Sequence, residues 1–152
     1  MKSAESHGRG VGSGQPPQMP LAVRAAELQI WHLAHEVLVA FNLEGVELFR
    51  RQGVMDHVEL TAEDKRILHS NQVIVTHNHP LERSFSTQDL NMACSYDIDV
   101  LRAISPGHVY SLTPPAGGWD PLWCVKRFYS DEVDKLRLKL TPPFMTASSA
   151  ET

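Results

Sequence analysis

Nothing in this chain constrains its fold more than the stretch from Gln72 to Asp89. Gln72-Val-Ile-Val-Thr-His77 is short, β-branched and apolar, the make-up of a buried strand. Side chains two apart on a strand share a face, so His77 and His79 project together where extended geometry runs through His79. Pro80 has no N–H for a ladder and ends the strand, and a short polar loop follows. Ser86 restarts regular structure as an N-cap, which puts Asp89 on the first turn of the next helix. Strand end, loop and helix start can thus converge on one cation through His77, His79 and Asp89. Water in the remaining position would complete the arrangement of a catalytic zinc site.

Water activated in that way still needs a base to take its proton and pass it to a leaving group. Glu36, in His35-Glu36-Val37-Leu38-Val39-Ala40-Phe41, stands where an amphipathic helix is expected to meet an apolar strand. It can serve if that strand lies beside the His77 strand. Glu44, Glu47 and Glu59 occupy the same half of the chain and remain alternatives. Glu44 falls in a turn, and Glu47 and Glu59 fit the polar side of alternating strands.

Glu36 ahead of a strand, then His77-x-His79-Pro80, then Ser86-x-x-Asp89, resembles the JAB/MPN (JAMM) metal-dependent isopeptidase superfamily. The wording His-Asn-His-Pro is closest to its bacterial RadC-like and phage-borne branches, and the resemblance spans residues 22–119. It implies zinc held by His77, His79 and Asp89, with Glu36 as the acid/base and Ser86 stabilising a tetrahedral oxyanion. It also implies a single α/β (α+β) domain, with a central mixed, curved sheet flanked by helices. The loop between His79 and Ser86 is one residue shorter than the family's usual spacing. Taken alone, Ser86-x-x-Asp89 is also an ordinary helix start, its hydroxyl taking a free N–H and its acid facing the positive end of the dipole.

Length and composition fit one soluble domain. At 152 residues, with 42% hydrophobic and 21% charged, the chain can bury a substantial core. No apolar run is long enough to span a bilayer, and the N-terminus lacks the apolar centre of a signal peptide. A net charge of −4 argues against nucleic acid as the main partner. The two cysteines, Cys94 and Cys124, form no CxxC pair, so a thiolate metal site is not expected and a reducing, cytoplasmic compartment fits.

Residues 1–19, rich in Gly, Ser, Pro and Gln, read as a disordered arm. Pro20 opens a helix on which Val23, Ala26, Ile30, Leu33 and Ala34 keep helical spacing. Val37–Phe41 and 46–50 make a hairpin about Asn42-Leu-Glu-Gly45, and a short strand is expected at 57–60. Thr61-Ala-Glu-Asp64 starts a helix reaching about His69, and another runs from Thr87 to about Tyr96. Strands at 100–104 and 108–112 flank a Ser-Pro-Gly turn. Gly117 and Gly118 are placed to bring backbone near the site, and Trp119 either joins a substrate groove or caps the core. Asp120-Pro121 begins a long amphipathic helix over 121–140, which completes the domain (20–141) before a disordered tail at 142–152.

Two further functions fit the same residues. One is a non-enzymatic phage or mobile-element accessory module that keeps the fold, binds a phage structural protein and is virion-associated. The other is metal-dependent hydrolysis of a different bond, such as a phosphoester, since activated water does not select carbonyls. The primary expectation is a zinc-dependent hydrolase of amide or isopeptide bonds, acting on a peptide or protein.

Overall fold

Apolar strands that alternate between two buried faces need helices on both sides, and the chain supplies them. The computed structural model describes residues 18–55 and 57–119. Its elements are α1 (Leu21–Ile30), β1 (Val37–Asn42), β2 (Glu47–Gln52), α2 (Ala62–Ser70), β3 (Val73–Asn78), α3 (Thr87–Ser95), β4 (Val100–Ser105) and β5 (His108–Leu112). The class is α+β, with five strands in the order β2-β1-β3-β4-β5. Only β3 and β4 are parallel; every other neighbouring pair is antiparallel. A parallel pair needs a crossover, and α3 lies in that connection.

Alternation sorts the sheet's side chains onto two faces. Leu38, Ala40, Val73, Val75 and Leu101 pack with Leu68 of α2 and with Leu90 and Ala93 of α3. Val37, Val39, Phe41, Ile74 and Val100 pack with Val23, Ala26 and Ile30 of α1. Each large aliphatic side chain so buried contributes about 1.5–3 kcal/mol. His77 follows the parity of Val73 and Val75 and faces α3, whereas Thr76 faces α1.

The α1 face also carries a buried ion pair. Arg102 donates to the Glu27 carboxylate through Nε (2.6 Å) and Nη2 (2.9 Å), and Thr76 Oγ1 donates to Glu27 Oε2 at 2.8 Å. Thr76 and Arg102 are register partners across β3 and β4, so this one carboxylate ties α1 to the two central strands.

Several expectations need correction. The first helix stops at Ile30, not Ala34, and residues 31–35 form a bend. No strand forms at 57–60. There the His57 carbonyl accepts from Val54 N–H (3.0 Å) and comes so close to Gly53 that a Cβ at that position would lie 2.0 Å from it. Trp119 packs against the core and donates its indole N–H to the Ile98 carbonyl at 2.8 Å, which makes it a cap and not a groove wall. Gly117 and Gly118 are not held by a close approach to the site: a Cβ on either would meet open space, and Gly118 N–H donates to the nearby Pro115 carbonyl at 2.9 Å. Residues 1–17 of the arm expected over 1–19, the helix expected at 121–140 and the tail at 142–152 lie outside the described residues. Among the described residues, no helix is long and apolar enough to cross a membrane.

Candidate metal centre

The site is built where β3 runs out. His77 is on the strand, and His79 N–H still bonds the Ile104 carbonyl of β4 at 2.7 Å, so extended geometry lasts through His79 before Pro80 ends it. Both imidazoles therefore project to one face, and both are almost wholly buried.

Asp89 arrives from the start of α3. Ser86 is the N-cap: its Oγ accepts from Asp89 N–H (3.1 Å), and Ser86 N–H donates to Asp89 Oδ2 (2.8 Å), a complete capping box. The box holds the carboxylate with both of its oxygens within reach of the histidines. Asp89 Oδ1 lies 3.1 Å from His77 Nε2, and Oδ2 lies 3.2 Å from His79 Nε2. The two Nε2 atoms are 2.9 Å apart. One ligand atom from each of the three residues falls within 4.8 Å of the others, so the group can hold a metal ion.

The donor set passes a test of fit. His79 Nδ1 lies 3.1 Å from the Arg83 carbonyl, which can only accept; Nδ1 therefore carries the proton and Nε2 presents a lone pair. A carbonyl partner on the outer nitrogen is what fixes a ligating imidazole's tautomer and orientation. Two imidazole nitrogens and a carboxylate oxygen suit a borderline divalent ion, and tetrahedral bonds of about 2.0–2.2 Å put neighbouring ligand atoms roughly 3.3 Å apart. The observed separations of 2.9–3.2 Å lie close to that edge.

Three acceptors focused on one point need positive charge there, from protons or from a metal ion. Burial works against a charged His77 ring, but the Asp89 carboxylate outweighs it and shifts the imidazole upward from its ordinary value. Burial likewise opposes charge on Asp89, yet His77 and His79 hold its carboxyl far below the usual range.

Glu36 completes the cluster. β1 lies beside β3 with Leu38 opposite His77, which brings Glu36, one residue before β1, alongside the site. Its Oε1 is 3.6 Å from His79 Nε2. Burial raises the Glu36 carboxyl above its ordinary value, with His77 and His79 pulling the other way. The alternatives fall elsewhere: Glu44 is in the β1–β2 turn, Glu47 pairs with Arg50 (3.0 Å), and Glu59 is an exposed loop residue. Beside the cluster a cleft of about 330 Å³ is lined by Glu36, Leu38, His77, Ser86, Asp89 and Met92, among others.

Sequence reasoning missed two residues that hold this arrangement. One is Gly53, whose N–H donates to the Glu36 carbonyl at 2.8 Å. The other is Asn78, the residue between the two histidines. The signal for it was present: alternation sends a residue between two ligands to the opposite face, where a buried amide must find partners.

No family model matches this sequence, and no curated protein or solved structure matches it.

Proposed function

We propose that the chain is a metal-dependent hydrolase of amide or isopeptide bonds, with zinc as its ion and a catalytic plan of the JAB/MPN type. The observation that carries this reading is the buried Glu36 carboxylate, 3.6 Å from a nitrogen of the His77–His79–Asp89 cluster and open to the adjoining cleft. A purely structural metal site is closed by four protein ligands, whereas three ligands with a carboxylate alongside are the parts of a hydrolytic one.

His77, His79 and Asp89 would hold the ion. When bound, it supplies Lewis acidity, polarising a carbonyl and lowering the pKa of water toward about 7. Glu36 then accepts a proton from the attacking water and delivers it to the departing amine. Its displaced pKa suits that task, because a base and acid working near neutrality must not be a strong acid itself. The Ser86 Oγ accepts the Asp89 N–H, which leaves the hydroxyl hydrogen to donate to an oxyanion in the cleft. The reading is supported by the placement of Glu36 just ahead of a strand antiparallel to the histidine strand, with Asp89 on the crossover helix, in a mixed sheet flanked by helices.

The test is turnover of isopeptide- and peptide-linked substrates by zinc-loaded protein beside Glu36→Gln. The variant keeps the ion and loses hydrolysis by about 10²-fold or more. Equal turnover in the two proteins contradicts the assignment.

A further inference from the structure

We propose that Asn78 is the positioning residue for Glu36, so that the run His77-Asn78-His79 sets both the metal ligands and the base. This rests on the hydrolase reading for its functional meaning, but the geometry stands without it.

Glu36 sits in a short irregular passage between the end of α1 and the start of β1. A bend of that kind leaves backbone groups unpaired, and buried ones must be satisfied. Asn78 satisfies three. Its Nδ2 donates to the Leu33 carbonyl (3.3 Å) and the His35 carbonyl (2.9 Å), and its Oδ1 accepts from Val37 N–H at 2.6 Å. The partners are residues 33, 35 and 37, so the amide grips the backbone immediately on each side of Glu36. Asn78 is fully buried. On its other side, Glu36 is fixed through its own backbone: its N–H donates to the Val54 carbonyl and its carbonyl accepts from Gly53 N–H, both at 2.8 Å.

The amide is the group this place requires. Its two hydrogens meet two carbonyls and its oxygen meets one N–H; a carboxylate offers no donor, and an aliphatic side chain offers neither. Alternation on β3 makes the device economical. His77 and His79 point to Asp89, while Asn78 between them points to the bend that bears the base. Displacing a catalytic group by about 1 Å can cost about 10²-fold in rate, so these three hydrogen bonds bear on turnover without touching the reacting atoms.

The test uses the full chain with Asn78→Ala and Asn78→Ser. Crystal structures of the metal-free proteins give the first readout. In Asn78→Ala, Glu36 Oε1 moves from 3.6 Å to about 1 Å or more farther from His79 Nε2, with the His77, His79 and Asp89 separations kept. Asn78→Ser, which retains one donor-acceptor group, moves it less, and that comparison decides the matter if the alanine protein does not fold. A carboxylate that stays in place in the folded variants overturns the proposal. Cobalt(II) alone gives the second readout. The variants take up as much as wild type, and the pH midpoint of the visible spectrum shifts in the direction seen for Glu36→Gln, with no further shift in the double variant. A wild-type midpoint in Asn78→Ala, or an added shift on top of Glu36→Gln, also overturns it. If wild type itself takes up no cobalt, the hydrolase reading fails, and the crystallographic distances still decide the role of Asn78.

Discussion

Leu38 of β1 stands directly opposite His77 of β3, and this single register puts a buried carboxylate beside two buried imidazoles. Slipping β1 by one residue would turn Leu38 from the α3 face to the α1 face and carry Glu36 away from the site. Sheet pairing and site chemistry are therefore one fact seen at two scales.

The metal-free protein should show the displaced Glu36 carboxyl directly. Burial raises its carboxyl, so the proton-accepting form is lost as pH falls through a value above the ordinary 4.5. Carboxyl NMR of the metal-free protein should therefore place the Glu36 midpoint above that of a free glutamate. A midpoint at or below 4.5 contradicts the burial assigned to this carboxylate.

Metal-free protein should respond to pH in a sense opposite to its metal affinity. His77 has a raised folded value, so its pairing with Asp89 stabilises fully below the unfolded pKa of about 6.5 and is lost as pH rises through the higher folded value. Asp89 is depressed, so its share is present above about 4 and is lost as pH falls toward its folded value. With chelator, Tm falls from pH 6 to pH 9 relative to His77→Ala. With zinc, the stabilisation grows over the same range, because the ion competes with protons for the ligands. Calorimetry at four or five pH values checks both slopes.

Ser86 and Thr61 cap helices in the same way, and only one of them touches the site. Thr61 Oγ1 accepts from Asp64 N–H at 3.1 Å in a second complete capping box. Replacing either residue by Ala should cost about 1 kcal/mol of stability. Ser86→Ala should also weaken metal retention and lower turnover, since its box orients Asp89, whereas Thr61→Ala leaves both unchanged. Urea denaturation with metal analysis on the two variants separates the effects; equal metal retention and turnover would make Ser86 a cap and nothing more.

The Glu27–Arg102 pair predicts an asymmetry between single and combined replacement. Both side chains are buried, so Glu27→Leu alone strands a guanidinium and should cost about 3–5 kcal/mol. Glu27→Leu with Arg102→Met and Thr76→Val removes the buried polar members, leaves only the partly exposed Arg24 to turn to water, and should recover most of the loss. Urea midpoints of the two proteins decide it, and equal destabilisation contradicts the account.

How much of this was legible depended on whether the cause was local. The strand through Val73–His77, its end at Pro80 and the Ser86 cap each follow from a few adjacent residues, so the three ligands could be read off together. Choosing Glu36 over Glu44, Glu47 and Glu59 required the β1–β3 pairing, which no short window contains. The end of α1 was misread for a related reason. Leu33 and Ala34 keep helical spacing, but the Leu33 and His35 carbonyls are taken by Asn78, more than forty residues away. The segment at 57–60 has a strand's alternation, yet the close approach of the His57 carbonyl to Gly53 sets its path instead.

The central claim is that His77, His79 and Asp89 close on one divalent ion, and zinc content after dialysis against metal-free buffer tests it most directly. Wild type should retain about one equivalent per chain, as a three-ligand site allows, while His77→Ala combined with Asp89→Asn retains essentially none and stays folded by circular dichroism. Equal zinc in the two folded proteins would contradict the account.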